Sequence, residues 1–204
     1  MGDFRTISQD LSKMLDLKYE AVGVTLYREG EPLPKDLAFT QENLKSYCQA
    51  VVLAGQGLLE KYGVGLFATE EASAATIHHS FYLEAGKTRA ALIAPLSFFQ
   101  VAPQVVVFTA DSEQVMWLLY ALNYARGGRM NLPQSGGALG GCADLTSLPL
   151  LEKVPNITFL GLGCRLKTGL DPCHLMLGAP GESLAGLHEH LSAMAKPIGM
   201  LKKR

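Results

Sequence analysis

A chain of 204 residues with 48% hydrophobic side chains can bury one sizeable core, and its formal net charge of −1 leaves no footprint for nucleic acid beyond the short basic tail Lys202-Lys203-Arg204. No stretch approaches the roughly 18 uninterrupted apolar residues of a membrane span, and the N-terminus lacks the basic-then-apolar pattern of a secretion signal. The expectation is a cytoplasmic protein with no nucleic-acid or membrane partner, folded as a single globular domain over residues 1–204.

Phe4, Ile7, Leu11, Met14 and Leu15 recur at helical spacing and predict an opening amphipathic helix that ends near Leu17-Lys18. Ala21 to Tyr27 reads as a buried strand, followed by a Pro/Gly-rich turn over Gly30 to Pro34. Thr40 can cap a second helix whose apolar face runs through Leu44, Tyr47, Cys48, Val51, Val52, Gly55, Leu58 and Leu59, which points Cys48 inward. Tyr82 to Pro95 reads as strand, turn and strand with a reversal at Glu84 to Lys87, and Gln104 to Thr109 is a further buried β-branched run. Asp111 and Gln114 have capping-box spacing at the head of a third helix, which stops at Arg126-Gly127-Gly128. Asn156 to Leu166 reads as a strand and Cys173 to Leu177 as its antiparallel partner, a pairing that would set Cys164 opposite Cys173. Leu184, Leu187, Leu191 and Met194 form one stripe of a last helix that stops before Pro197. Helices and strands mix without strict βαβ alternation, so the expected class is α+β, with a mixed or antiparallel sheet packed with helices; α/β is the alternative.

The segment from Tyr124 to Asp144 joins six glycines, two arginines and a cysteine directly after a helix. Glycine at that density costs conformational entropy and lets a backbone approach a ligand closely. Arg126 and Arg129, with Asn131 and the backbone of Gly136, Gly137, Gly140 and Gly141, would form a cradle for a small carboxylate or phosphate, since each guanidinium offers a planar fork of donors. Arg165 is a candidate second anion contact. The plainer reading gives Arg126 and Arg129 to terminal helix carbonyls and Arg165 to a carboxylate at a sheet edge. The segment is no P-loop, because the Gly-Lys-Ser/Thr ending is missing, and no HExxH, EF-hand or Ser-His-Asp order occurs.

Four cysteines in a cytosolic chain point to core thiols, metal ligation or redox work. None forms a Cys-x-x-Cys pair, so a zinc ribbon is not indicated. Cys142, Cys48 and Cys164 are candidate ligands of an iron-sulfur cluster or another metal, whose thiolates can converge from distant loops. Against that, free cysteine on an apolar face is commonly a small buried hydrophobe. Cys142 differs in following Gly140-Gly141 at the head of a short helix, where backbone N–H groups lower a thiol pKa.

The order of several features resembles an archaeal and bacterial family known as domain of unknown function 169. They are Leu17-Lys18 before Val22-Gly23-Val24, Cys48 followed by Ala50 and Ala54, and Ala94-Pro95 before Pro103-Gln104-Val105-Val106-Val107. Glu113-Gln114, Gly136 to Asp144, and Asn156 leading to Gly163-Cys164-Arg165 complete the match, which spans nearly the whole chain. The resemblance implies cysteines at the positions of Cys48 and Cys142 and no established activity. Many members carry a further cysteine before a glycine-rich stretch in mid-chain; Glu70 to Thr76 has none here, although His78-His79 follow. Two functions are expected as alternatives. One is a cysteine-ligated metal or iron-sulfur redox protein with a glycine-rich site around residues 127–142. The other is a non-catalytic small-anion-binding or assembly module. Low charge (18%) beside high apolar content predicts a homo-oligomer, with a dimer first, under either.

Overall fold

A computed structural model describes residues 3–35, 47–57, 65–68, 88–124, 126–134, 141 and 143–198. Its first helix, α1 (Phe4–Leu15), starts where the Asp3 side chain accepts from the Arg5 N–H at 3.1 Å and the Thr6 hydroxyl at 2.7 Å. It stops where Asp16 turns left-handed, at φ 52°. Strand β1 (Val22–Arg28) and helix α2 (Tyr47–Gly55) follow, then β2 (Gly65–Ala68), β3 (Thr88–Pro95) and β4 (Val105–Asp111). The proposed cap Thr40, together with Leu44, Leu58, Leu59 and the 82–87 reversal, lies outside the described residues. Strand β2 has no counterpart in the sequence reading, because three apolar residues after a glycine are too few to show a period.

Helix α3 (Ser112–Asn123) carries the expected capping box in full: Asp111 Oδ1 accepts from the Gln114 N–H, and Gln114 Oε1 accepts from the Asp111 N–H, both at 2.8 Å. The remaining end of Gln114 reaches across the fold, its Nε2 donating to the carbonyls of Leu15 and Asp16 at 3.0 Å each. One side chain thus closes the start of α3 and the end of α1. Gln114→Ala is expected to cost about 1–2 kcal/mol in a urea or thermal melt, from a lost cap and stranded carbonyls.

After a π-helical turn (Ala143–Ser147) come α4 (Leu148–Glu152), β5 (Asn156–Thr158), α5 (Leu162–Thr168), β6 (His174–Pro180) and α6 (Leu184–Ile198). Two expectations are corrected here. The strand read over 156–166 ends at Thr158, and residues 162–168 are helical. Leu160 adopts φ 62°, which ends the extended run, and Gly169 at φ 61° closes α5 in a left-handed cap. Strands β5 and β6 do pair antiparallel, with Asn156 opposite Gly178 and Thr158 opposite Met176, but through a helix instead of a hairpin. Cys164 is therefore on α5, Cys173 precedes β6, and the two do not face each other across a ladder. The last helix runs through Pro197 to Ile198 instead of stopping before it.

The six strands form one sheet in the order β2-β3-β1-β4-β6-β5, with every pair antiparallel. The class is α+β, and the parallel pairing that the α/β alternative needs is absent among the described strands. Helices cover both faces. On one, Leu11 of α1, Leu118 of α3 and Leu187 of α6 pack on Val106, Phe108 and Leu177. On the other, Val51 and Val52 of α2, Leu145 of the π turn and Leu160 pack on Val24, Val107 and Met176. Strand β4 is consequently buried from Val105 through Ala110, which is why it reads as a continuous apolar run and not an alternation. No helix among the described residues is long and apolar enough to cross a membrane.

Candidate functional site

The chain leaves α3 through two consecutive left-handed glycines, Gly127 at φ 65° and Gly128 at φ 76°, positions that side chains adopt only with strain. Asn123 holds this turn. Its carbonyl accepts from the N–H groups of Arg126 (3.2 Å) and Gly127 (2.7 Å), and its Nδ2 donates to Gly128 O at 3.0 Å. Residues 129–134 then run to the edge of the sheet. There Asn156 of β5, fully buried, donates from Nδ2 to Pro133 O at 2.7 Å and ties the loop to the strand.

Between this loop and the α4–β5 connection lies a cavity of about 220 Å³. Arg126, Arg129 and Asn131 line it from the loop, and Glu152, Val154 and Pro155 from the opposite segment. Both arginines are exposed, and no ion pair among the described residues engages either one. Two guanidinium groups at one small cavity favour an anion with several oxygen acceptors. Gly136, Gly137 and Gly140 lie outside the described residues.

Arg165 is placed elsewhere. Its Nε donates to Phe159 O at 2.7 Å, its Nη1 to Asp171 O at 3.0 Å and its Nη2 to His174 O. All three guanidinium nitrogens thus bind backbone carbonyls, stapling the exit of β5 to the entrance of β6. Beside this staple, the Cys173 N–H donates to Asp171 Oδ1 at 2.9 Å and holds that carboxyl below the usual carboxylate range, with the neighbouring His174 acting in the same direction. His174 is buried edge-on against the Tyr19 ring.

Two cysteine-bearing helices share the second face of the sheet. Helix α2 carries Cys48 and packs against α5, which carries Cys164. Gly141, next to Cys142, is buried against the exit of β5: a Cβ there would sit 3.3 Å from Thr158 Oγ1 and 3.7 Å from Leu160 Cα. Leu160 itself holds its left-handed backbone at roughly 1–2 kcal/mol for a side chain of this kind. Cys164 is half-buried and Cys173 exposed; the Cys48 side chain, Cys142 and His78-His79 lie outside the described residues. Among the described residues, no group of three or more His, Cys, Asp or Glu side chains could hold a metal ion.

Sequence reading missed the polar seat of the π turn. Asp144, Thr146 and Ser147 are buried beside Asn156 and Thr158, on elements that pack together. Ser147 Oγ and Asn156 Oδ1 lie buried without a hydrogen-bond partner among the described residues. The available signal was Gly178, a glycine inside a strand, which marks close approach of another backbone. The Leu145 carbonyl oxygen lies 2.0 Å from where a Cβ on Gly178 would stand.

Among curated proteins, the chain is similar to "Uncharacterized protein MJ0308" of Methanocaldococcus jannaschii, with 29% identity over 126 residues, 62% of this chain and 53% of that protein. The match thus spans about half the length of the curated relative. No solved structure matches. A family model described as "Uncharacterised ArCR, COG2043" matches residues 54–190, from α2 into α6 and across the candidate site, and the chain belongs to this family, DUF169.

Proposed function

We propose that the protein binds a small anion, a carboxylate or phosphate, in the cavity beside α3, with Arg126 and Arg129 as its principal contacts and Asn131 as a neutral partner. The observation that carries this reading is the pair of guanidinium groups lining one cavity, with no carboxylate among the described residues paired to either. The loop is held for the task by the Asn123 turn and by Asn156, so little ordering entropy is lost on binding. Self-association belongs to the same reading. It is supported by the exposed apolar face of Phe159, Leu162 and Leu166, which are 57%, 71% and 74% accessible. Thermal melts with inorganic phosphate or succinate test the binding. A ligand at hundredfold excess over its Kd contributes about 2.7 kcal/mol, a rise of roughly 5 °C or more for a chain of this size. Arg129→Ala and Arg126→Ala are expected to remove most of that rise. Arg129→Ala leaving both the melting shift and the oligomer size unchanged would count against the reading.

A second reading, that Cys142, Cys48 and Cys164 ligate an iron-sulfur cluster or another metal, is supported by α2, which carries Cys48, packing against α5, which carries Cys164. Protein purified without oxygen is then expected to absorb broadly near about 400 nm and to carry iron and sulfide in proportion. Cys142→Ser should bleach it. Colourless, metal-free wild-type protein from that preparation would sink the reading.

A further inference from the structure

The cavity beside α3 has two walls of opposite character, and on the strength of the anion-binding reading above we infer that its ligand is amphoteric: a small aminocarboxylate with its anionic end on Arg126 and Arg129 and its ammonium on Glu152. The cationic wall is the loop after α3. The facing wall is the last residue of α4 and the connection into β5, where Glu152 presents the cavity's carboxylate. No ion pair joins Glu152 to either arginine, so the charges line one space without cancelling. Lys153, the adjacent cation, pairs with Glu182 at 3.8 Å and does not neutralise Glu152. Glu152 also ends a helix, where the last carbonyls already carry partial negative charge and an acidic side chain is disfavoured unless a cation arrives. A simple anion would engage one wall only, whereas an ammonium on the same ligand would engage Glu152 as well. The cavity, about 220 Å³, suits a small ligand. Short ω-amino acids fit that description, carrying a carboxylate at one end and an ammonium at the other.

The test compares butyrate, γ-aminobutyrate and N-acetyl-β-alanine, which share a carboxylate and differ in the ammonium. Melting shifts are titrated on the wild type, Glu152→Gln and Arg129→Ala; Glu152 is exposed, so its amide variant should fold. In the wild type, γ-aminobutyrate should half-saturate at about tenfold lower concentration than the other two, the scale of one charge-assisted hydrogen bond. Glu152→Gln should erase that tenfold advantage and leave butyrate binding intact, and Arg129→Ala should abolish both responses. Equal half-saturation of butyrate and γ-aminobutyrate on the wild type would overturn the inference while leaving anion binding standing. The inference also falls if the advantage persists in Glu152→Gln. No response to any carboxylate or to phosphate would overturn the anion-binding reading itself, and the inference with it.

Discussion

Gly178→Ala is expected to lower the melting temperature by roughly 6–12 °C, which corresponds to about 3 kcal/mol for a chain of this length. The added methyl would stand 2.0 Å from the carbonyl oxygen of Leu145 and 2.7 Å from its carbon, and both atoms are backbone. Rotation of a side chain cannot relieve that contact, so either the π turn lifts or β6 bends. Lifting the turn would move Leu145 out of its core position and disturb the buried polar residues Thr146 and Ser147 that follow it. Gly163→Ala is the matching control: nothing stands within 4 Å of a Cβ at that position, and its stability should change by no more than about 1 kcal/mol. A Gly178→Ala protein that melts with the wild type would mean that the turn is not seated on β6 in solution.

Arg165→Ala should cost a further 3 kcal/mol or so, because three carbonyls lose a charged donor at once. Arg165→Lys should recover little of it, since one ammonium cannot reproduce a fork that reaches three carbonyls on two segments. The phosphate or succinate melting shift should survive in both variants, measured from their lowered baselines. The opposite pattern, an unchanged baseline with the ligand shift lost, would return Arg165 to the role of an anion contact.

Much of this fold is written in local patterns. The α1 stripe from Phe4 to Leu15 faces the core as spaced, and the Asp111/Gln114 box caps α3 because both of its hydrogen bonds are made within three residues. The 156–166 stretch misleads for an equally physical reason. Its apolar content suits a strand, and what breaks the run is the left-handed backbone of Leu160, a conformation that leucine does not advertise. The cationic wall of the cavity was legible because Arg126 and Arg129 flank glycines that end a helix. Glu152 was not, since it reaches the cavity only through α4 and the Asn156 tie to Pro133, contacts set by tertiary packing. Likewise, nothing in the spacing of Cys48 and Cys164 tells that α2 and α5 lie against each other.

The position of β1 inside the sheet has a consequence for how the chain matures on the ribosome. Both of its neighbours, β3 and β4, are made later, and at roughly 5–20 residues per second the gap of about 60 residues between Arg28 and Thr88 keeps Val22, Val24 and Leu26 waiting for several seconds. For that interval the nascent protein presents a long apolar segment with two unpaired hydrogen-bonding edges, an attractive target for a holding chaperone and a starting point for misassembly between neighbouring nascent chains. Productive collapse therefore waits for the residues that follow Thr88, and a translational pause before that point would prolong the most vulnerable stage of its synthesis.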